Sequence, residues 1–278
     1  MDILVAPKLK KYKKIGLAFG GGGARGFALI GVVRALEEEG ITFDYIAGTS
    51  IGSVMGAMLA YGLTSEKMQE IATKIRIKDI RKSKIPLMPS STDALEDIIK
   101  SIVGDINIED LKTPFCAVAV DMKTGDEVDI IKGNLSKALA GSCAVPTVFH
   151  AVEFEDKLLF DGSLQNTIPA DVIRKLGCDA VISVDINSTR GNGTQSTKYF
   201  DLIMSSIDIM MKSNAIKGYL NSDLIIKPNL KRFRASKTDG MLEMIEEGYI
   251  ATKEKMPEIK AFFKRKKLKK HWWGIGKK

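Results

Sequence analysis

The chain has 278 residues, of which 45% are hydrophobic and 27% charged; this is ordinary globular composition and enough for one large α/β domain or two small ones. It contains no apolar run of about 18 residues or more, so we expect no transmembrane helix. The net charge of +8 is concentrated in residues 8–14, with five lysines, and residues 264–278, with eight lysines and arginines. Because the stretch between them is slightly acidic, the composition does not indicate a nucleic-acid-binding core.

Three cysteines, Cys116, Cys143 and Cys178, are few, odd in number and widely spaced. This pattern indicates neither a disulfide framework nor a metal cluster, so we expect buried thiols in a reducing compartment. The N-terminus places its short apolar run, residues 1–6, before the lysines of residues 8–14, whereas a secretory signal has the opposite order. We therefore predict a cytoplasmic protein.

Strands and helices alternate at the start of the chain. Residues 14–19 form an apolar run that predicts a buried strand, and the helical pattern of residues 25–39 follows it. Residues 45–48 predict a second strand, and residues 51–61 predict a helix that ends at Gly62. This order predicts an α/β fold in which parallel strands are covered by helices.

The rest of the chain continues this mixed pattern. Region 64–113 is mostly helical and more polar, and its segment 81–91 contains two prolines and several serines, so we interpret the region as an insertion or lid. The further predicted elements are helices 65–75 and 92–103, strands 115–120 and 127–131 joined as a hairpin, helix 135–141, strands 152–154 and 157–160, helix 169–176, strand 180–185, helix 199–216, strand 223–226 and helix 238–256. The chain thus divides into a basic N-terminal segment at 1–14, one domain at 15–256 and a basic aromatic tail at 257–278.

The segment Gly48-Thr49-Ser50-Ile51-Gly52 lies between the second predicted strand and its helix. It matches the G-x-S-x-G elbow, in which glycines permit a sharp turn that exposes the serine. There the helix dipole favours a developing oxyanion, and the Ile51 N–H is placed to donate to it. Alternatively, Ser50 is only a helix N-cap, and Gly48 and Gly52 only allow the helix to pack closely on the sheet.

Four consecutive glycines, residues 20–23, follow the first predicted strand, and Arg25 comes two residues later. Such a run lets backbone N–H groups converge on an anion, and the arginine adds a positive charge at the rim. The candidate oxyanion-hole residues are Gly21, Gly22, Gly23, Arg25 and Ile51.

The same glycines permit a second interpretation. The spacing Gly21-x-Gly23-x-x-Gly26 satisfies the dinucleotide-binding fingerprint, and Asp44 follows at about the required distance. In that fold, however, the acid sits at the end of the second strand, whereas Asp44 precedes it. A P-loop is excluded because no Gly-Lys-Ser/Thr follows at the required spacing.

A nucleophilic serine needs a base, and histidine is the usual one. The Ser…Asp…His order of α/β-hydrolases requires a histidine late in the core, after the acid. His271 lies in the basic tail and His150 lies too early in the chain, so neither fits this order. A partly desolvated carboxylate can serve instead, and Asp161 in Phe160-Asp161-Gly162-Ser163 is the best candidate. Asp161-Gly162 is equally typical of a simple turn.

These motifs occur together in one order. They are Gly20–Gly23 with Arg25-Gly26, Gly48–Gly52, Ser142–Pro146 with Val148-Phe149, Asp161-Gly162, Asn166 with Pro169, and Val181–Asp185. In this combination, which runs from about Lys14 to Asp185, the chain resembles the patatin-like phospholipase family. It departs from the usual family pattern at Leu29, at His150-Ala151, at Ser163 and at Thr167-Ile168.

The resemblance implies a three-layer α/β/α fold and a Ser–Asp dyad that uses no histidine. Ser50 is then the nucleophile, Asp161 the base, and the glycine amides with nearby Arg25 the oxyanion hole. The implied activity is hydrolysis of lipid acyl esters, of the phospholipase A or lysophospholipase type, through an acyl-serine intermediate and without metal or cofactor. The alternatives are a non-catalytic lipid- or protein-binding module on this fold and a nucleotide-binding protein.

The C-terminal tail interleaves cations with apolar side chains. Tryptophan and lysine favour the water–lipid boundary, so we predict reversible docking on an anionic inner membrane surface and no nucleic-acid partner. The predicted membrane contacts are Lys264, Arg265, Lys266, Lys267, Trp272 and Trp273. The alternatives are a solvated tail and a nucleic-acid-binding segment.

Overall fold

The computed structural model describes residues 12–75, 89–188, 197, 199–235 and 238–265. The strands are β1 (Ile15–Phe19), β2 (Tyr45–Thr49), β3 (Phe115–Asp121), β4 (Glu127–Ile130), β5 (Val152–Phe154), β6 (Lys157–Asp161), β7 (Ala180–Val184) and β8 (Leu224–Ile226). The helices are α1 (Phe27–Glu37), α2 (Ile51–Tyr61), α3 (Ser65–Lys74), α4 (Asp93–Val103), α5 (Leu135–Ser142), α6 (Ala170–Lys175), α7 (Tyr199–Asn221) and α8 (Met241–Lys264).

The strands form one sheet with β1 near its centre. β1 pairs in parallel with β2 and β7, β2 with β3, and β7 with β8. β4 and β6 pair antiparallel with β3, and β5 pairs antiparallel with β6. The predicted mixed α/β fold with a mostly parallel central sheet is therefore confirmed.

The pairing of β3 explains how two distant segments of the chain meet. β4 occupies one edge of β3. On the other edge, β2 places Thr49 opposite Val118, and β6 places Asp161 opposite Ala119. β2 and β6 therefore meet end to end along one strand, and Ser50, which follows Thr49, arrives beside Asp161.

Helices cover both faces of the sheet. The larger core includes Leu17 and Phe19 of β1 together with apolar side chains from α1, α2, α5 and α8. The smaller core contains Ala18 of the same strand and packs against Ile173 of α6. This alternation along β1 gives the three layers, because successive side chains of a strand point to opposite faces.

The last helix differs from its prediction. α8 continues through Pro257 to Lys264, beyond the predicted end at residue 256. Ile259 is fully buried, and the Phe262 and Phe263 side chains pack against the core, so packing stabilises the helix past its proline. The helix end predicted at residue 256 is therefore wrong, and α8 includes the first residues of the predicted tail.

The N-terminal boundary is also less sharp than predicted. Tyr12, in the segment assigned to a basic N-terminal extension, is buried, and its ring packs on Phe262. Its N–H donates to the Arg265 carbonyl at 2.9 Å. The described end of the N-terminal segment thus closes against the end of α8.

Region 64–113 contributes two helices to the core. Met68 of α3 and Ile99 of α4 are buried among the other apolar side chains. Most of the proline- and serine-containing segment 81–91 of this region lies outside the described residues. None of the helices within the described ranges combines the length and apolar character needed to cross a bilayer.

Candidate active site

Ser50 sits on a strained turn between β2 and α2. Its backbone has φ 55° and ψ −132°, and residues other than glycine rarely adopt a positive φ. A Cβ on Gly48 would lie 2.3 Å from the Gly52 carbonyl oxygen, and one on Gly52 would lie 2.4 Å from the Phe19 carbonyl oxygen. Both flanking glycines are therefore required by close backbone approach, which is the geometry of the predicted nucleophile elbow.

A second serine holds this elbow. The Ser50 N–H donates to Ser142 Oγ at 3.0 Å, and Ser142 Oγ donates to the Val118 carbonyl at 2.6 Å. Ser142 lies at the end of α5 and is fully buried. Sequence reasoning gave it no role, although it opens the Ser142–Pro146 stretch of the family resemblance.

Asp161 ends β6 with its carboxyl group buried. Oδ1 accepts the Ser163 N–H at 2.9 Å, whereas Oδ2 makes no hydrogen bond with any described residue. Burial raises the pKa of Asp161, and the nearby hydroxyls of Ser50 and Ser163 and the Ser163 N–H partly oppose this effect. A Cβ on Gly162 would lie 2.3 Å from the Val118 carbonyl oxygen. Only glycine therefore lets the chain pass this close to β3 immediately after Asp161.

The glycine run lies directly against the elbow. A Cβ on Gly21 would lie 3.2 Å from the Ser50 Cβ and 2.5 Å from Ser163 Oγ, so a larger residue would intrude on the dyad. The Gly21 N–H donates to the Thr167 carbonyl at 3.0 Å and is not free for an oxyanion, which corrects its predicted role as a donor. Within the described chain, the N–H groups of Gly22, Gly23 and Ile51 make no hydrogen bond and remain available.

Arg25 is buried and engaged elsewhere. Its Nε and Nη2 donate to the Phe233 carbonyl at 3.0 and 2.8 Å, and its Nη1 donates to Asn187 Oδ1 at 3.0 Å. Burial lowers the pKa of Arg25, and Asp185 partly restores it. These contacts make Arg25 a clamp between the glycine run and the loop after β8, which corrects its predicted place in the oxyanion hole.

A network not predicted from the sequence fixes the glycine run. Asn187 Nδ2 donates to the Gly21 carbonyl at 2.6 Å, and the Asn187 N–H donates to Asp185 Oδ1 at 2.8 Å. The other oxygen of Asp185 accepts the Tyr219 hydroxyl. The only signal in the sequence was Asp185 at the end of the family-like Val181–Asp185 stretch.

A second network holds the turn that follows Asp161. Thr49 Oγ1 donates to the Asn166 carbonyl at 2.8 Å, which joins the elbow strand to this turn. Asn166 Nδ2 donates to Asp171 Oδ1 at 2.7 Å, and Lys217 pairs with Asp171 and Glu127 at 2.8 and 2.6 Å. The two halves of the candidate dyad therefore share one polar framework.

Two further side chains bear on the chemistry. The Cys143 thiol lies by Ser50, Ser53 and Asp161, and burial raises its pKa, so it stays protonated and un-nucleophilic at neutral pH. The His150 side chain is exposed, and no hydrogen bond joins it to the dyad. In the described ranges, no three His, Cys, Asp or Glu side chains converge as they would around a metal ion.

Of the predicted membrane contacts, Lys264 is the last residue of α8 and Arg265 follows it. Lys266, Lys267, Trp272 and Trp273 lie outside the described residues.

Comparison with known proteins agrees with this geometry. The model of the patatin-like phospholipase family matches residues 17–174, more than half of the chain. An uncharacterised NTE family protein of Mycobacterium bovis is 35% identical over 181 residues, which cover 63% of this chain and 50% of that protein. Mouse (Mus musculus) patatin-like phospholipase domain-containing protein 7 is 33% identical over 203 residues, which cover 68% of this chain and 14% of that protein. The chain thus spans half or less of these relatives.

Solved structures share the fold. VipD from Legionella pneumophila superposes with a TM-score of 0.56 at 13% identity, over 92% of this chain and 72% of that one. Human GIVD cytosolic phospholipase A2, in complex with methyl gamma-linolenyl fluorophosphonate, superposes with a TM-score of 0.54 at 12% identity, over 91% of this chain and 59% of that one. With its elbow, its glycine run and its family match, the chain belongs to the patatin-like phospholipase family.

Proposed function

We propose that this protein hydrolyses acyl esters of lipids, of the phospholipase A or lysophospholipase type, through an acyl intermediate on Ser50. The observation that carries the proposal is the end-to-end meeting of β2 and β6 on β3, which brings Ser50 beside Asp161. One buried carboxyl oxygen of Asp161 makes no hydrogen bond with any described residue. Family membership and the lipid-ester chemistry of named relatives support it.

In the first half-reaction, Asp161 Oδ2 takes the Ser50 hydroxyl proton while Oγ attacks the ester carbonyl carbon. We assign the donation to the oxyanion to the N–H groups of Gly22, Gly23 and Ile51, which make no hydrogen bond within the described chain. The intermediate then collapses, the alcohol leaves with the proton from Asp161, and an acyl-Ser50 ester remains.

In the second half-reaction, Asp161 takes a proton from water, whose oxygen attacks the acyl carbon. The tetrahedral intermediate expels Ser50 Oγ, which recovers its proton from Asp161, and the fatty acid leaves. The raised pKa of Asp161 suits both steps, because general acid–base catalysis is most efficient when the pKa of the group lies near the working pH.

The experiment is turnover of a panel of lipids by the purified protein and two serine variants. The panel contains phosphatidylcholine, lysophosphatidylcholine, a triacylglycerol and an acyl thioester. We expect Ser50→Ala to lose at least about 10³-fold in kcat, because the nucleophile is removed. Ser101→Ala, an exposed serine on α4, should retain turnover. Full turnover by Ser50→Ala, or no turnover by the wild type on any acyl substrate, would favour a binding module on this fold.

Membrane docking through the C-terminal tail stays a prediction. Residues 266–278 carry six lysines and both tryptophans, a composition that suits an anionic lipid surface on the cytoplasmic side. The tail residues before 266 belong to α8 and its cap, so truncation after Arg265 is the variant that removes the tail without cutting the core.

A further inference from the structure

A cluster of cations lies beside the candidate active site. The loop at residues 227–235, which we call the basic loop, contains four cations and no acid. It follows the carboxyl end of β8, and Ser50 follows the carboxyl end of β2, which lies at the same end of the sheet. The main chain of the basic loop contacts the residue that follows the glycine run, because the Ala24 N–H donates to the Ala235 carbonyl at 2.8 Å.

The basic loop has buried apolar side chains that fix it to the core and exposed cations that face solvent. Pro228 and Leu230 are buried, which fixes its backbone on the core. Lys231, Arg232 and Arg234 are exposed. Arg232 forms an ion pair with Glu247 at 3.5 Å, whereas Lys231 and Arg234 make no ion pair with any described residue. Lys231 and Arg234 are therefore available to a negatively charged surface outside the protein.

The N-terminal half of α7 extends beyond the same end of the sheet. The C-terminal end of α7 leads into β8. Tyr219 contacts Asp185 at the end of β7, and Asn214 Nδ2 donates to the Leu164 carbonyl at 2.6 Å in the turn after Asp161. Residues 199–210, which we call the α7 overhang, therefore continue past the strand ends for on the order of 18 Å.

The described side chains of the α7 overhang include exposed apolar groups. Leu202, Ile209 and Met210 are 46%, 57% and 51% exposed. Leu202 and Ile209 are two turns apart and share one face of the helix.

We propose that the basic loop and the α7 overhang together form the surface that docks on an anionic lipid membrane. The cations would contact lipid phosphates while Leu202 and Ile209 enter the acyl boundary, and the dyad would face the same lipid layer. A second copy of the chain fits this face less well, because a symmetric contact would set one basic loop against another. The proposal deepens the proposed function, since it states how substrate reaches Ser50.

The test is sedimentation with vesicles, performed in the Ser50→Ala background so that the lipids stay intact. Vesicles of phosphatidylcholine containing phosphatidylglycerol are compared with pure phosphatidylcholine. One variant is Lys231→Glu with Arg234→Glu, and another is Leu202→Gln with Ile209→Gln. The matched control is Lys132→Glu with Lys137→Glu, two exposed lysines at the opposite edge of the sheet with the same change in net charge.

We expect the charge variant to lose about tenfold or more in partition onto anionic vesicles, as two basic groups near the surface contribute about 1 kcal/mol each. The variant Leu202→Gln with Ile209→Gln should also bind the vesicles more weakly. Its loss of affinity should be the same at low and high salt, because apolar contacts are not screened by ions. Equal loss in the matched control, unchanged binding of both variants, or binding that disappears only on truncation after Arg265 would overturn the proposal. Because binding is read without catalysis, its failure is separate from a failure of the proposed function.

Discussion

At the scale of single residues, the carboxyl group of Asp161 is held under opposing influences. It is buried, and burial favours its protonated form, yet a base must be ionised to accept the Ser50 proton. The Ser163 N–H and the Ser50 hydroxyl offset part of that effect. The ionised carboxylate that catalysis needs is therefore the form that lowers the stability of the folded protein.

Asp161→Asn should remove activity and raise stability at neutral pH. A carboxyl whose pKa is raised by folding binds its proton more tightly in the native state, so the wild type loses stability as pH rises from the unfolded-state pKa through the folded one. The amide does not ionise. The free energy of unfolding of Asp161→Asn should thus exceed that of the wild type at pH 7, and the excess should shrink as pH falls toward about 3.9.

Asp121→Asn provides the control of opposite sign. Asp121 Oδ1 accepts the Lys123 and Leu158 N–H groups, each at 3.1 Å, and these bonds lower the pKa of Asp121. That substitution should lower the free energy of unfolding at pH 7. A stability gain in Asp161→Asn that does not vary with pH would contradict the role of burial at this carboxyl.

At the scale of elements, α1 and α8 cross with their backbones nearly touching. A Cβ on Gly31 of α1 would lie 1.8 Å from the Ile245 carbonyl oxygen, and one on Gly248 of α8 would lie 1.9 Å from the Ala28 carbonyl oxygen. Each helix thus supplies a glycine where the other helix presents its main chain. α1 begins just after the glycine run, so this crossing also supports the candidate site.

Gly248→Ala should destabilise the protein by about 1–3 kcal/mol, the usual effect of overpacking. In a helix without such a contact, the same replacement would stabilise by about 1 kcal/mol, so the sign of the change identifies the crossing. Denaturant unfolding measures it. Glu254→Ala, on the exposed side of α8, should stay within about 0.5 kcal/mol of the wild type. A stabilised Gly248→Ala would show that the helices can separate at little expense.

The elements could be predicted from sequence because their signals are local. Hydrophobic runs ending in glycine define β1 and β2, and the elbow around Ser50 is contained in five consecutive residues. The partners of Arg25 could not be predicted, because Phe233 lies 208 residues away and the choice between it and an oxyanion depends on packing. The same holds for Gly21, whose N–H is taken by Thr167. Pro257 misled for a related reason, since a local helix-breaking signal was overridden by tertiary contacts of Ile259.

At the scale of the whole molecule, the two ends of the described chain close on each other. The Tyr12 ring lies 5.5 Å from that of Phe262, and the Phe43 ring lies 5.6 Å from that of Phe263. The end of α8 is therefore part of the core rather than the start of a separate tail.

Truncation should separate these two regions. A chain that ends at residue 265 should keep the wild-type free energy of unfolding, because the core contacts of α8 remain. A chain that ends at residue 258 loses buried Ile259 and both phenylalanines and should be destabilised by at least about 3 kcal/mol. Denaturant unfolding of the two truncations decides the matter, and equal stability would mean that the contacts of Phe262 and Phe263 add nothing.

The most direct test of the catalytic proposal is peptide mapping after reaction with an alkyl fluorophosphonate, which phosphonylates activated serines. The dyad predicts a single adduct, on the peptide that contains Ser50, with no adduct in Ser50→Ala and a strongly slowed reaction in Asp161→Asn. An adduct on a different residue, or an unlabelled wild-type protein that still hydrolyses lipid esters, would contradict Ser50 as the nucleophile.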